Sequence, residues 1–153
     1  MEKHKSDSSE QKEVEKNVID WLRINIDQSI ISKKFELDGV NFQMDACTED
    51  GTILCEIYAG IDEIKAGQKR KIITDLFKLL LIEKLLDQKY GQSPREKYLV
   101  FVDKKVKAAF EGLKLETWAK KGVETFGIKI LVAEISKEDR QILEKAKKRQ
   151  KMK

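Results

Sequence analysis

The chain is poor in the residues that would staple it or ligate soft metals. Among its 153 residues there are two cysteines, one histidine and one proline. The single histidine, His4, sits in a polar leader, so a zinc centre built from His and Cys ligands has too few parts. No apolar run approaches the roughly 20 residues of a membrane span, and MEKHKSDSSEQKE lacks the apolar core of a signal peptide. A cytoplasmic protein with no membrane partner is the expectation. Repeats, low-complexity blocks and interdomain linkers are also missing.

What is present suits one compact domain: 41% apolar and 38% charged residues in a length that can bury a real core. The net charge of +4 is unevenly placed. The last nine residues, KAKKRQKMK, hold six basic residues and no acid, and without them 25 basic residues face 27 acidic ones. Such a tail, with Lys147, Lys148 and Arg149, can add sequence-independent affinity for phosphate backbones. The same composition equally serves a solvated helix end.

Residues 1–9 read as a disordered leader, 10–135 as the domain and 136–153 as a charged C-terminal helix with its basic tail. Val14, Val18, Trp21, Leu22 and Ile26 recur at helical spacing between about Glu10 and Gln28. Strands are expected near Lys34–Leu37, Asn41–Cys47 and Thr52–Tyr58, then a long helix from Ile64 to Gln88 ended by Gly91 and Pro94. KYLVFV (97–102) and GIKILVAEI (127–135) read as buried strands. The stretch between them is helical, in two pieces broken near Gly112, and Ser136 opens the last helix. This order predicts an α/β fold with a mixed sheet of four to five strands flanked by helices.

The hairpin FQMDACTEDGTILCEIYA raises a chemical question. Asp50-Gly51 is a strong turn signal, and a two-residue loop pairs Cys47 with Leu54, Ala46 with Cys55, and Asp45 with Glu56. In that register Asn41, Gln43, Asp45 and Cys47 share a face, Gln43 lies opposite Tyr58, and the two cysteines point to opposite faces as free thiols. Two carboxylates directly across a ladder repel by some tenths of a kcal/mol to about 1 kcal/mol. A hard cation such as Mg²⁺, which takes one or two carboxylates and completes its shell with water and phosphate, would offset that. So would lysines on a solvated face.

On the following helix Gln68, Lys71, Asp75 and Lys78 are spaced 3, 4 and 3 apart and form one polar stripe beside Ile72, Ile73, Leu76 and Leu80. The stripe offers donors at the mouth of a carboxylate site, or lysine stems laid over a half-buried face.

The order of elements, with an acid in the second strand and Glu-x-x in the third leading into a helix, resembles the PD-(D/E)xK nuclease superfamily (restriction-endonuclease-like) over roughly residues 13–135. EIYAGIDEIKAGQKRKIITDLFKL, KYLVFVD and LETWAKKGVETFGIKILVAEI resemble a small prokaryotic branch of it. The resemblance implies that Asp45 and Glu56 are catalytic and hold Mg²⁺ or Mn²⁺, with Met44 in place of the motif proline. It puts the motif lysine at Tyr58, a departure, since a phenol is uncharged at neutral pH. Lys71, or else Lys65, is expected to supply the cation from the helix, with Lys71 close to both carboxylates. Gln68 would position water or phosphate, and Glu15, or Glu13, would match an acid of the first helix. Lys65, Lys78, Lys147, Lys148 and Arg149 would contact nucleic acid. The implied activity is hydrolysis of phosphodiester bonds in DNA. The alternative is an inactive nuclease-like domain that binds DNA or a protein partner, a second copy included.

Overall fold

The computed structural model describes the backbone of residues 2–111 and 117–151, and the side chains of 9–111 and 118–149. The elements in chain order are α1 (Glu2–Asn25), β1 (Ile31–Leu37), β2 (Val40–Cys47), β3 (Ile53–Tyr58), α2 (Ala66–Tyr90), β4 (Glu96–Phe101), α3 (Lys104–Glu111), α4 (Thr117–Thr125), β5 (Ile128–Val132) and α5 (Lys137–Lys151). One five-stranded mixed sheet runs in the order β1-β2-β3-β4-β5, antiparallel through β3 and parallel from β3 to β5. The α/β architecture and the strand count match the expectation. Helix α1 starts at Glu2, not near Glu10, because the polar leader contains no Gly or Pro to stop it. The expected break at Gly112 falls outside the described residues.

All six residues of β3 are buried, because helices cover both of its faces. Ile53, Cys55 and Ile57 pack with Val14, Val18 and Leu22 of α1 and Leu143 of α5. On the other face, Leu54 meets Leu79, Ile82 and Leu86 of α2, and Tyr58 packs with Ile72 and Leu76. Each such side chain contributes about 1.5–3 kcal/mol by leaving water. Ser136 caps α5, its Oγ accepting the Asp139 N–H at 3.0 Å.

The hairpin keeps the predicted register at Ala46–Cys55 and Cys47–Leu54. Its loop is longer than two residues. The Thr48 N–H bonds the Ile53 carbonyl, Gly51 takes φ +74° where only glycine is at ease, and Asp50 Oδ1 accepts from Thr48 Oγ1 and the Thr52 N–H. Cys47 and Cys55 are free and buried; burial pushes the Cys47 thiol up to about 12 and raises Cys55 as well.

The predicted faces of β2 need correction. Ile31 pairs with Cys47 and Lys33 with Met44, so Asp45 and Ala46 together oppose Ser32. This bulge puts Met44 and Cys47 on the same face, toward α2, while Ala46 faces α1. Strict alternation fails at Asp45, one of the two acids singled out in the hairpin.

Candidate active site

The β2–β3 ladder stops short of the acids. Asp45 and Glu56 are not a ladder pair; instead Glu56 Oε2 accepts the Asp45 N–H at 3.2 Å, and Asp45 Oδ2 accepts the Ile57 N–H at 2.9 Å. Each carboxylate thus replaces a main-chain acceptor of the opposite strand, and the strands part here without orphaning those amides. The bulge at Asp45 supplies the local bend.

Glu56 is almost fully buried, 1% exposed, on the face covered by α2. Lys78 Nζ lies 2.6 Å from its Oε1, an ammonium–carboxylate ion pair. Burial first, and the Asp45 charge second, push the Glu56 carboxyl up to about 8 against the lowering effect of Lys78. Lys78 itself is raised, because Glu56, Asp45 and Asp75 together outweigh its own burial.

Glu15 reaches the same place from the opposite face of the sheet. Burial, then Asp45, raise its carboxyl to about 7, with Lys71 opposing and Asp75 adding. Glu13 is exposed, so of the two candidates on α1 only Glu15 belongs to the site. Glu15 shares a cleft at the end of β3 with Gln68 and Lys71 of α2.

Lys71 makes its ion pair with Asp75 at 3.1 Å, its side chain 64% exposed; the lysine paired with Glu56 is Lys78. Both sit on the predicted polar stripe, two turns apart. Asp75, on that stripe but given no role by sequence, contributes its charge to Glu15, Glu56 and Lys78. Gln68 Oε1 accepts the Lys65 N–H at 2.8 Å and so caps α2, with Lys65 exposed at the helix start. Gln43 points away, its amide on Ser32 Oγ.

A cleft of ≈ 310 Å³ adjoins the acids, lined by Gln11, Glu15, Tyr58, Gln68, Lys71 and Lys147 among others. Asp45 and Glu56 are not in its wall. Tyr58 is buried, its hydroxyl pushed up to about 12 by burial, and its ring meets Phe101 edge-on at 6.1 Å. It packs as a core aromatic and supplies no cation.

The basic tail is partly engaged. Lys147 Nζ donates to the Ile61 carbonyl at 3.2 Å and lies 3.6 Å from Asp62, while Arg149 pairs with Glu10. Lys148 is exposed.

Among the described residues no three His, Cys, Asp or Glu side chains converge closely enough to hold a metal ion. The nearest approach to such a donor set is the Asp45–Glu56 pair, two carboxylates of which Glu56 already has the Lys78 ammonium on its Oε1. No helix among the described residues is long and apolar enough to cross a membrane. No protein-family model matches the chain, and neither a curated protein nor a solved structure matches it.

Proposed function

We propose that the chain is a restriction-endonuclease-like nuclease that hydrolyses phosphodiester bonds in DNA with Mg²⁺ or Mn²⁺, using Asp45, Glu56 and Lys78. One observation carries this reading: the Lys78 ammonium stands 2.6 Å from Glu56, supplying from α2 the charge that Tyr58 lacks. The antiparallel meander followed by a parallel strand, and the acids at the parting of β2 and β3, support it.

Asp45 and Glu56 would hold the ion, which when bound supplies a water of lowered pKa and a polarised phosphate. Lys78 stabilises charge growing on the phosphate oxygens. Glu15, with its carboxyl near 7, can hold or release a proton at neutral pH. The adjoining cleft receives the strand beside the scissile bond, with Lys71 and Lys147 on its wall.

A second reading rests on the same ion pair. Lys78 already compensates Glu56, so the cluster also serves a nuclease-like domain that binds DNA or a protein without cutting. Incubation with plasmid and linear DNA in Mg²⁺ or Mn²⁺ separates the two. Cleavage abolished by Asp45→Asn and Lys78→Ala supports the enzyme; a wild-type chain no faster than Asp45→Asn selects the binding domain.

A further inference from the structure

Away from the acids, α2 and α4 leave an apolar groove between them. Of six large apolar side chains exposed among the described residues, three border it: Phe77 at 69%, Trp118 at 64% and Phe126 at 53%. Scattered exposed apolar residues are ordinary, but three aromatics converging on one trough mark an interaction surface. The trough is aliphatic, with Ile73, Leu80 and Val123 in its lining, and a Cβ on Gly122 would meet nothing within 4 Å.

Charge selects the occupant. Arg70, Ile73, Phe77, Leu80 and Lys84 are spaced 3, 4, 3 and 4 apart, so one face of α2 carries an apolar stripe with a base at each end. Lys121 is exposed on α4, one turn from Trp118. The acids of α2 are committed elsewhere: Asp75 to Lys71, Glu83 to Lys97 and Asp87 to Arg95. Arg70, Lys84 and Lys121 make no ion pair among the described residues.

We propose that this groove docks an acidic amphipathic helix of a partner protein, its apolar ridge against Phe77, Trp118 and Phe126 and its acids against Arg70, Lys84 and Lys121. A trough between two helices fits such a ridge at i, i+3, i+4 and i+7. A second copy would bring like-charged rims together. A single nucleic-acid strand stacks its bases on ring faces along a basic track, whereas here the space between the rings is aliphatic.

The test uses the full chain carrying Trp21→Phe, so that Trp118 reports alone, and two synthetic 20-residue amphipathic helices that share a leucine ridge. One has Glu flanks and the other Lys flanks. The expected result is a blue shift of Trp118 with the acidic peptide, at least about 10-fold tighter binding than its basic twin in low salt, and a loss of about 10-fold on Phe77→Ala. The double variant Arg70→Glu/Lys84→Glu, changed only at exposed positions, should reverse the preference. No saturable binding of the acidic peptide, or equal binding of the twins, overturns the proposal. So does Phe77-dependent binding of a labelled oligo-dT, or a Phe77-dependent dimer in sedimentation.

Discussion

Asp45 and Glu56 hold each other's strands: the Glu56 carboxylate accepts the Asp45 amide, and the Asp45 carboxylate accepts the amide of Ile57, the residue after Glu56. Loss of either acceptor therefore has a structural cost apart from any chemistry. Alanine at position 45 leaves the Ile57 N–H without this acceptor, a penalty of about 1–3 kcal/mol. Asparagine can still accept it. Urea denaturation of the two variants should show Asp45→Ala markedly less stable than Asp45→Asn, and equal stabilities would remove the carboxylate from the sheet's hydrogen bonding.

Glu56→Gln separates a working acid from a structural ion pair. The amide can keep the bond to the Asp45 N–H while removing the carboxylate's repulsion with Asp45, and Lys78, 29% exposed, can turn toward water. Stability should change by less than about 1 kcal/mol while cleavage falls by at least about 100-fold. A purely structural pair would instead lose about 3–5 kcal/mol on removal of one partner. Thermal melts and single-turnover rates on the same preparations decide between them.

On the nuclease reading Lys78→Ala should abolish cleavage, by at least about 100-fold, and Lys71→Ala should lower it far less, because Lys78 pairs with Glu56 and Lys71 with Asp75. Calorimetric titration with Mg²⁺ should show metal still binding to the Lys78 variant, tighter if anything, since a competing cation has gone. The opposite ranking of the two lysines would return Lys71 to the centre.

Both raised acids bear on stability against pH. Glu15 and Glu56 ordinarily titrate near 4.5 and are held at about 7 and about 8 in the fold, chiefly by burial and then by Asp45. Between 4.5 and those values the folded chain holds more protons than the unfolded one, so the stability they contribute is full below 4.5 and lost as pH rises toward 8. Denaturation midpoints should fall across that window. Glu15→Gln, which cannot titrate, should flatten the slope.

Gly60 has a steric duty toward Tyr58. A Cβ there would sit 2.5 Å from the Tyr58 ring and hydroxyl, so Gly60→Ala must displace a buried aromatic. A loss of about 1–3 kcal/mol is expected, as for overpacking elsewhere. The same change in a Tyr58→Leu background should cost less, and additive costs in that double-mutant cycle would mean the two residues do not meet.

Much of this was legible in the residues. Period 2 around Asp50-Gly51 gave the hairpin and two pairs of its register, and period 3.6 gave α2 with its polar stripe. The stripe contains the lysine that meets Glu56, Lys78, but the spacing did not single it out from Lys71. That depends on how far the 59–65 loop sets the helix along the sheet, a distance with no sequence period. The bulge at Asp45 was hidden for a similar reason: Met44, Asp45, Ala46 and Cys47 look like plain alternation, and only pairing with β1 shows two residues facing Ser32. Capping by Gln68 left a trace, a polar residue three positions after Lys65, at the end where a cap belongs.

The parting of β2 and β3 couples the history of the site to that of the sheet. Because the acids stand in for main-chain acceptors, a lineage relieved of selection for chemistry would still need acceptors at positions 45 and 56. The mildest substitutions there are the corresponding amides, which keep the hydrogen bonds and the bend. A descendant that had lost its activity by that route would retain the same backbone, notch included, and would differ from a working relative by two atoms.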